Sequence, residues 1–368
     1  MTCLLNILLI LPDSTKNPFG GMGVQAEGIM SNMLDVNFFE HNINTSDFFQ
    51  VSENVDNSVV ISQILSQATQ LPKLDLLQKI DIVHSFDAST SIQGNAIAKM
   101  INKPHIMTLQ LSMNSLFNIF YNKTDELVSG IEFSCMNSAD AVIHVSKEYL
   151  KKYSVLNKNS FYLPNGIDLN KWENTSVQKI DLLGRKNSKK LCYIGRYAEM
   201  KNIEAILNAK IPKEIDIYFI GSQRGGHEYY FSKMIKYVED NENAYYLGEK
   251  HGNEKINILK CMNAVIVPSI HEPFGIVCLE ALASKCILLS SFQSGMKEYL
   301  TEDIALNCGV NSSQIEKSIK KWLNLSIDEI EKRNNLGIEL CKKYSWKNSA
   351  NILKKIYLQI KNYDYRNL

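Results

Sequence analysis

Two glutamates, Glu272 and Glu280, frame the stretch HEPFGIVCLEALASKCILLSS at residues 271–291, with seven residues between them and Pro-Phe-Gly directly behind the first. A carboxylate accepts two hydroxyls well. Two separated carboxylates therefore fit a ligand with a polyol at each end. The apolar run AVIVPSI feeds this turn as a strand, and the residues beyond it read as a helix with Pro273 at its first position. Such a turn aims the Phe274, Gly275 and Ile276 amides out of a helix start, where they and the helix dipole suit an anion. Glu272 would precede the helix, and Glu280 would fall about two turns into it. A second stretch, IGRYAEMKN (194–202), puts Arg196 at a strand end and Lys201 at the start of the next helix. Two cations there would neutralise a diphosphate, Arg through its fork of donors and Lys as a point charge. The sequence holds no Asp-x-Asp, so no carboxylate-bound Mg²⁺ is indicated and no metal ligand is assigned.

The elements that must position these groups alternate along the chain. NILLIL (6–11), IDIVHSF (80–86), HIMTLQL (105–111), AVIHVS (141–146) and FYLPNG (161–166) read as strands separated by helical stretches. The pattern restarts at LCYIGR (191–196) and continues through IDIYFIG (215–221), the helical YYFSKMIKYVE, then YYLG, KINILKC, AVIVPSI and CILLSS. Continuous apolar strands with helical crossovers mean α/β architecture, with parallel sheets covered on both faces. Two such series predict two doubly wound domains, with the polar stretch Asp168–Lys190 as the join. The closing NILKKIYLQIKNY (351–363) sets Ile352, Ile356 and Ile360 at helical spacing, so it should pack on a domain.

Ligands of doubly wound sheets bind at the carboxyl ends of strands. That rule selects Gly20 and Gly21 of NPFGGMG (17–23) after the first strand, His84 and Asp87 after DIV, Gln110 after HIMTL and Asn165 after FYLP. In the second series it selects Arg196, Gly221 after IYFI, and Glu272. The glycines would let backbone approach an anion closely. GGMG is neither a GxGxxG nor a Walker loop.

At 368 residues, with 45% hydrophobic and 21% charged residues, the composition is that of a globular protein large enough for two cores. No apolar run approaches the roughly 20 residues of a membrane-spanning helix, and Leu4–Leu11 lacks the flanks of a signal peptide. Eight scattered cysteines without a Cys-x-x-Cys pair fit reduced thiols in a cytoplasmic protein. Residues 1–165 hold 10 Lys, no Arg and 15 acidic residues, a balance of −5. That leaves 30 of the 40 basic and 24 of the 39 acidic residues in the remainder, a balance of +6. This split favours an anionic ligand on the second half and weighs against nucleic acid across the first.

Taken together, GGMG, DIVHSFD, SADAVIHVS, YLPNGID, YIGRYAEMKN, AVIVPSIHEPFGIVCLEALASK and YSWKN (344–348) resemble the retaining, nucleotide-sugar-dependent glycosyltransferases of family 4, which have the GT-B fold. The resemblance runs over nearly the whole chain. It implies two Rossmann-like, doubly wound parallel-sheet domains facing a cleft: residues 1–165 for the acceptor, 166–347 for the donor, and 348–368 as a helix crossing back. It further implies that Arg196 and Lys201 hold a diphosphate, and that Glu272 with the Phe274–Gly275 backbone holds sugar hydroxyls. Glu280 would bind the ribose, and the Gly20–Gly21 loop would close over the phosphates. The co-substrate would be a nucleoside-diphosphate sugar, with no further cofactor, and the second substrate a hydroxyl acceptor. Two departures stand out. Gln110 occupies a place where the family commonly carries His, and a glutamine cannot carry a proton. Ser294-Gly295-Met296-Lys297-Glu298 lacks the proline of the usual Gly-Gly-x-Pro-Glu. Other readings are a polymer-extending enzyme of the glycogen-synthase kind, a sugar-nucleotide epimerase, a GT-B binding protein without catalysis, and a transferase acting on nucleic acid.

Overall fold

The computed structural model describes residues 5–12, 15–16, 20–43, 71–121, 126–176, 182, 184–185, 187–222 and 228–362. The chain forms two units, Met1–Asn165 with Trp346–Leu368, and Gly166–Ser345. Among the described residues each unit is built on a six-stranded parallel sheet.

In the first unit the strands are β1 (Leu5–Leu11), β2 (Val36–Asn42), β3 (Ile82–Phe86), β4 (His105–Leu109), β5 (Ala141–His144) and β6 (Ser160–Tyr162), in the order β2-β1-β3-β4-β5-β6. The inner strands β1, β3, β4 and β5 are buried on both faces, and the edge strands β2 and β6 only in part. One face packs on the helix Gly21–Met30 and the returning helix Trp346–Asn362, through Ile29, Leu353, Ile356, Tyr357 and Ile360. The other is covered in part by the helices Asp87–Met100 and Glu126–Ser138. Gly28 makes the first of these packings possible, since a Cβ there would lie 2.3 Å from the Trp346 ring. The buried stripe of the returning helix differs from the expected one. Ile352 is exposed and Leu353 takes its place, because residues 353, 356, 357 and 360 follow the 3.6-residue turn, whereas a strict step of four drifts off one face.

In the second unit the strands are β7 (Lys189–Ile194), β8 (Ile215–Ile220), β9 (Ala244–Tyr246), β10 (Ala264–Val267), β11 (Ile287–Ser290) and β12 (Leu306–Asn307), in the order β12-β11-β10-β7-β8-β9. KINILK is not a strand. It lies in the helix Gly252–Lys260, which buries Ile256, Ile258 and Leu259. Nor is the stretch after Asp168 a spacer. Ile167 bridges Ser345, and the helix Leu169–Asn174, capped by Asp168, buries Trp172 within the second unit. In both sheets the strand order reverses at one place, at β1/β3 and at β7/β10, and the carboxyl ends there are where such folds take ligands.

The returning segment changes the charge reading. Residues 346–368 carry five basic and one acidic residue, so the first unit as folded holds 15 basic and 16 acidic residues and the second 25 and 23. The units stand near −1 and +2. The asymmetry therefore belongs to the halves of the chain and not to the folded units.

Candidate active site

At the β7/β10 reversal, the chain leaving β7 passes through Gly195 to Arg196 and then enters a 3-10 turn, Glu199–Lys201. That turn is tied to the neighbouring strand end, because the Ile270 amide donates to the Met200 carbonyl at 2.9 Å. Asn202 follows with φ 56°, and its side-chain amide donates to the Pro268 and Val310 carbonyls at 3.0 and 2.8 Å. The result is that Lys201 reaches Glu272: its Nζ donates to Glu272 Oε2, with both side chains largely buried. Arg196 is half-buried and Tyr193 donates to its carbonyl at 2.8 Å. Burial lowers the guanidinium pKa, and the charge of Glu272 opposes that shift.

The Pro-Phe-Gly turn differs in detail from the expected geometry. Pro273 lies outside the helix, which spans Ile276–Ala283. Gly275 is its N-cap with φ 90° and ψ 62°, a conformation that favours glycine and delays the helix by three residues. Glu280 therefore falls one turn into the helix and not two. No side chain caps this helix, so its leading amides remain able to meet a ligand. Glu280 is buried and accepts from Lys255 Nζ at 2.6 Å. The turn is held from behind. Tyr299 donates to the carbonyls of Phe274 and Gly275 at 2.8 and 3.1 Å and stacks on the buried Phe274 ring. The Gly295 amide donates to the Glu272 carbonyl at 3.0 Å, and Ser294 Oγ lies 2.7 Å from His271 Nδ1. Lys255, Tyr299, Gly295 and His271 were not singled out as site residues by sequence reasoning. Gly221 was, but its amide donates to the Gly248 carbonyl, and a Cβ there would sit 2.0 Å from the Gly195 carbonyl oxygen. It serves the close approach of the β7 and β8 ends and offers no amide to a ligand.

In the first unit, Gly20 is the N-cap of Gly21–Met30, without a side-chain cap; Asn17–Phe19 of the same motif lie outside the described residues. Behind it stands a cluster of amides. Gln110 Nε2 donates to Gln25 Oε1 at 2.6 Å, and Asn165 Nδ2 donates to Gln110 Oε1 at 3.2 Å. Gln25 is fully buried and, among the described residues, its Nε2 has no partner, an acceptor-seeking group that sequence reasoning missed. Asp87 has φ 53° and accepts the Gln110 and Leu111 amides at 2.6 and 3.2 Å, which fixes where Gln110 stands. Glu132 does the same for the Met113 and Asn114 amides. His84 does not belong to this group. β3 continues to Phe86, so His84 is mid-strand and buried, with Nδ1 2.7 Å from the Tyr357 hydroxyl and Nε2 2.7 Å from Thr108 Oγ1. It is a packing residue.

Burial also sets the titration of this unit. It pushes Asp87 up to about 8 and raises Glu132, and it lowers His84 and His105 to about 3 and His144 to about 4. From about pH 4 to 6.5 the three histidines are protonated only when unfolded, so they make stability rise with pH. The raised acids hold protons that the unfolded chain releases, so they lower stability as pH rises above the usual carboxylate range, Asp87 doing so toward about 8. Above about pH 6.5 the histidines no longer contribute, and Asp87, still protonated when folded, lowers stability as pH rises, so denaturation midpoints are expected to decline between about pH 6.5 and 8. Asp87→Asn, which keeps the accepting oxygen, is expected to flatten that decline.

Among the described residues no group of three or more His, Cys, Asp or Glu could hold a metal ion, all seven cysteines are free, and no helix is long and apolar enough to cross a membrane. Residues 176–340 match the family model described as glycosyl transferases group 1. That match falls within the second unit. Over 92% of this chain and 94% of the relative, the sequence is 21% identical to a glycosyltransferase of Methanocaldococcus jannaschii. The fold is shared with sucrose-phosphate synthase from Thermosynechococcus elongatus, at TM-score 0.79 and 16% identity over 97% of this chain and 99% of that one. It is also shared with Anabaena HepE, solved in complex with UDP-glucose, at TM-score 0.75 and 13% identity over 96% and 99%. The architecture of this chain is thus GT-B, with two parallel α/β sheets.

Proposed function

We propose that the protein is a retaining glycosyltransferase of family 4 that moves a hexose from a nucleoside-diphosphate sugar to a hydroxyl acceptor. The observation that carries this reading is the pair of lysine–glutamate contacts, Lys201–Glu272 and Lys255–Glu280, on either side of an uncapped helix start. The leading amides, Arg196 and Lys201 bind the diphosphate; Glu272 takes hydroxyls of the sugar and Glu280 those of the ribose. HepE, of the same fold, was solved with UDP-glucose, which supports a donor of this form. Arg196 and Lys201 supply the positive charge, so the reaction is assigned as independent of a metal and of any further cofactor.

In the reaction the bond from the anomeric carbon to the phosphate oxygen breaks and one to the acceptor oxygen forms. The acceptor proton passes to the departing phosphate on the same face, which retains configuration. Negative charge grows on the diphosphate, and fixed donors aimed at it are usually the largest catalytic contribution. The acceptor is assigned to the first unit, where the Gln25, Gln110 and Asn165 amides match uncharged hydroxyls.

Thermal unfolding with UDP-, ADP- and GDP-sugars tests the donor. A ligand at 100 times its dissociation constant adds about 2.7 kcal/mol, a shift of several degrees. The stabilising donor is expected to release its nucleoside diphosphate only when an acceptor is present, and to give a product with the donor's anomeric configuration. A panel without stabilisation or release would remove the reading; an inverted product would remove retention.

A further inference from the structure

We propose that Lys255 is a positioning residue that makes the site select ribose over a sugar lacking its hydroxyls. The inference rests on the donor reading above and extends it to a residue outside the Glu272–Glu280 stretch. Glu280 projects from Ile276–Ala283 with its side chain only 8% exposed, and Lys255 comes from the separate helix Gly252–Lys260. A carboxylate that buried is costly without a partner. The ammonium meets Oε1 at 2.6 Å, and Oε2 takes no hydrogen bond from any described residue.

That division of labour is what a diol clamp needs. One oxygen is committed to a fixed cation, which holds the carboxylate in one rotamer. The other can accept from a ligand hydroxyl. Glu272 has the same arrangement at the other end of the turn, with Oε2 engaged by Lys201. The two pairs differ in what holds the lysine. Lys201 sits on a turn tied by backbone hydrogen bonding to the end of β10, whereas Lys255 lies on a helix that packs against the helix carrying Glu280. Lys255 therefore acts on Glu280, remote from the bond that breaks, and its effect should fall on recognition and not on turnover. Without it Glu280 can turn away from the ligand, and its preference for a diol is lost.

The experiment compares uridine, adenosine and guanosine 5′-diphosphates with their 2′,3′-dideoxy counterparts by calorimetry, on the full chain. The wild-type protein is expected to bind one ribonucleotide at least tenfold more tightly than its dideoxy form. Lys255→Met is expected to bring that ratio within about threefold of unity, Glu280→Gln to do the same, and Lys255→Arg to restore most of it. In turnover, Lys255→Met is expected to raise the donor KM about tenfold with kcat within about twofold. Lys255→Gln gives the same reading should the methionine variant fold poorly, and thermal unfolding checks both. A merely structural role for Lys255 would lower affinity for both members of a pair and leave their ratio intact, which would overturn the proposal. A wild-type protein that binds a diphosphate without distinguishing its dideoxy form would overturn it through Glu280. Failure of all three diphosphates to bind would instead remove the donor reading, and this inference with it.

Discussion

Alanine in place of Lys201 is expected to lower kcat by about a hundredfold while the protein stays folded, with an unfolding midpoint lowered because the largely buried Glu272 loses its cation. The magnitude follows from the step assigned to it. Loss of one fixed donor at a developing oxyanion costs on the order of 3 kcal/mol, and each 1.4 kcal/mol is about tenfold in rate. The structure adds a second consequence. Lys201 is the partner of Glu272, so its removal also frees the carboxylate that is assigned to the sugar. The effects of Lys201→Ala and Glu272→Gln should therefore not add: the double variant is expected to be little worse than Lys201→Ala alone, because both changes dissolve one contact. Arg196→Ala, a guanidinium outside this lysine–glutamate contact, is expected to reach a similar loss and to multiply with Glu272→Gln more fully. Near-normal turnover of the Lys201 variant in a steady-state assay at saturating donor would remove it from the chemistry.

Much of this arrangement is legible before any coordinates. The continuous apolar runs define ten or more strands, and the rule that ligands gather at carboxyl ends leads to Arg196 and Glu272, which the β7/β10 reversal brings together with Lys201 of the following helix start. What escapes the sequence is of three physical kinds. Contacts between distant segments have no local signal: Lys255 stands 25 residues from Glu280, and its run KINILKC is apolar enough to resemble a strand. Backbone conformation at a single residue shifts an element, as the left-handed Gly275 moves the helix start past Pro273 and brings Glu280 a turn closer to it. Topology can also undo a compositional argument. The charge asymmetry between chain halves falls from −5 and +6 to −1 and +2 once Trp346–Leu368 is counted with the first unit. His84 combines the first and last of these, since its partner Tyr357 lies on that returning helix, 273 residues away.

Gly295 carries the other large expected effect, and it acts through shape alone. A Cβ at this position would fall 1.6 Å from the Pro273 carbonyl oxygen and 3.2 Å from the Phe274 amide nitrogen, both backbone atoms that no rotamer change can move aside. The Gly295 amide also donates to the Glu272 carbonyl, so the 3-10 turn Ser294–Glu298 is the support against which the Pro-Phe-Gly turn rests. Relief of the clash must push the two turns apart. Overpacking of this kind costs roughly 1–3 kcal/mol, and displacement of a reacting group by about 1 Å can cost on the order of a hundredfold in rate. Gly295→Ala is accordingly expected to lower kcat/KM by about a hundredfold and the unfolding midpoint by a few degrees. Gly130→Ala, where a Cβ meets nothing within 4 Å inside the helix Glu126–Ser138, provides the control in the first unit and is expected to leave kcat/KM unchanged and the midpoint equal or slightly higher. The missing proline of this loop enters the same argument. Without a ring to stiffen Lys297, the support is held by Tyr299, whose hydroxyl meets the Phe274 and Gly275 carbonyls. Tyr299→Phe should therefore worsen the Gly295→Ala defect by more than its own small effect, whereas simple multiplication of the two losses would mean that tyrosine and glycine support the turn independently.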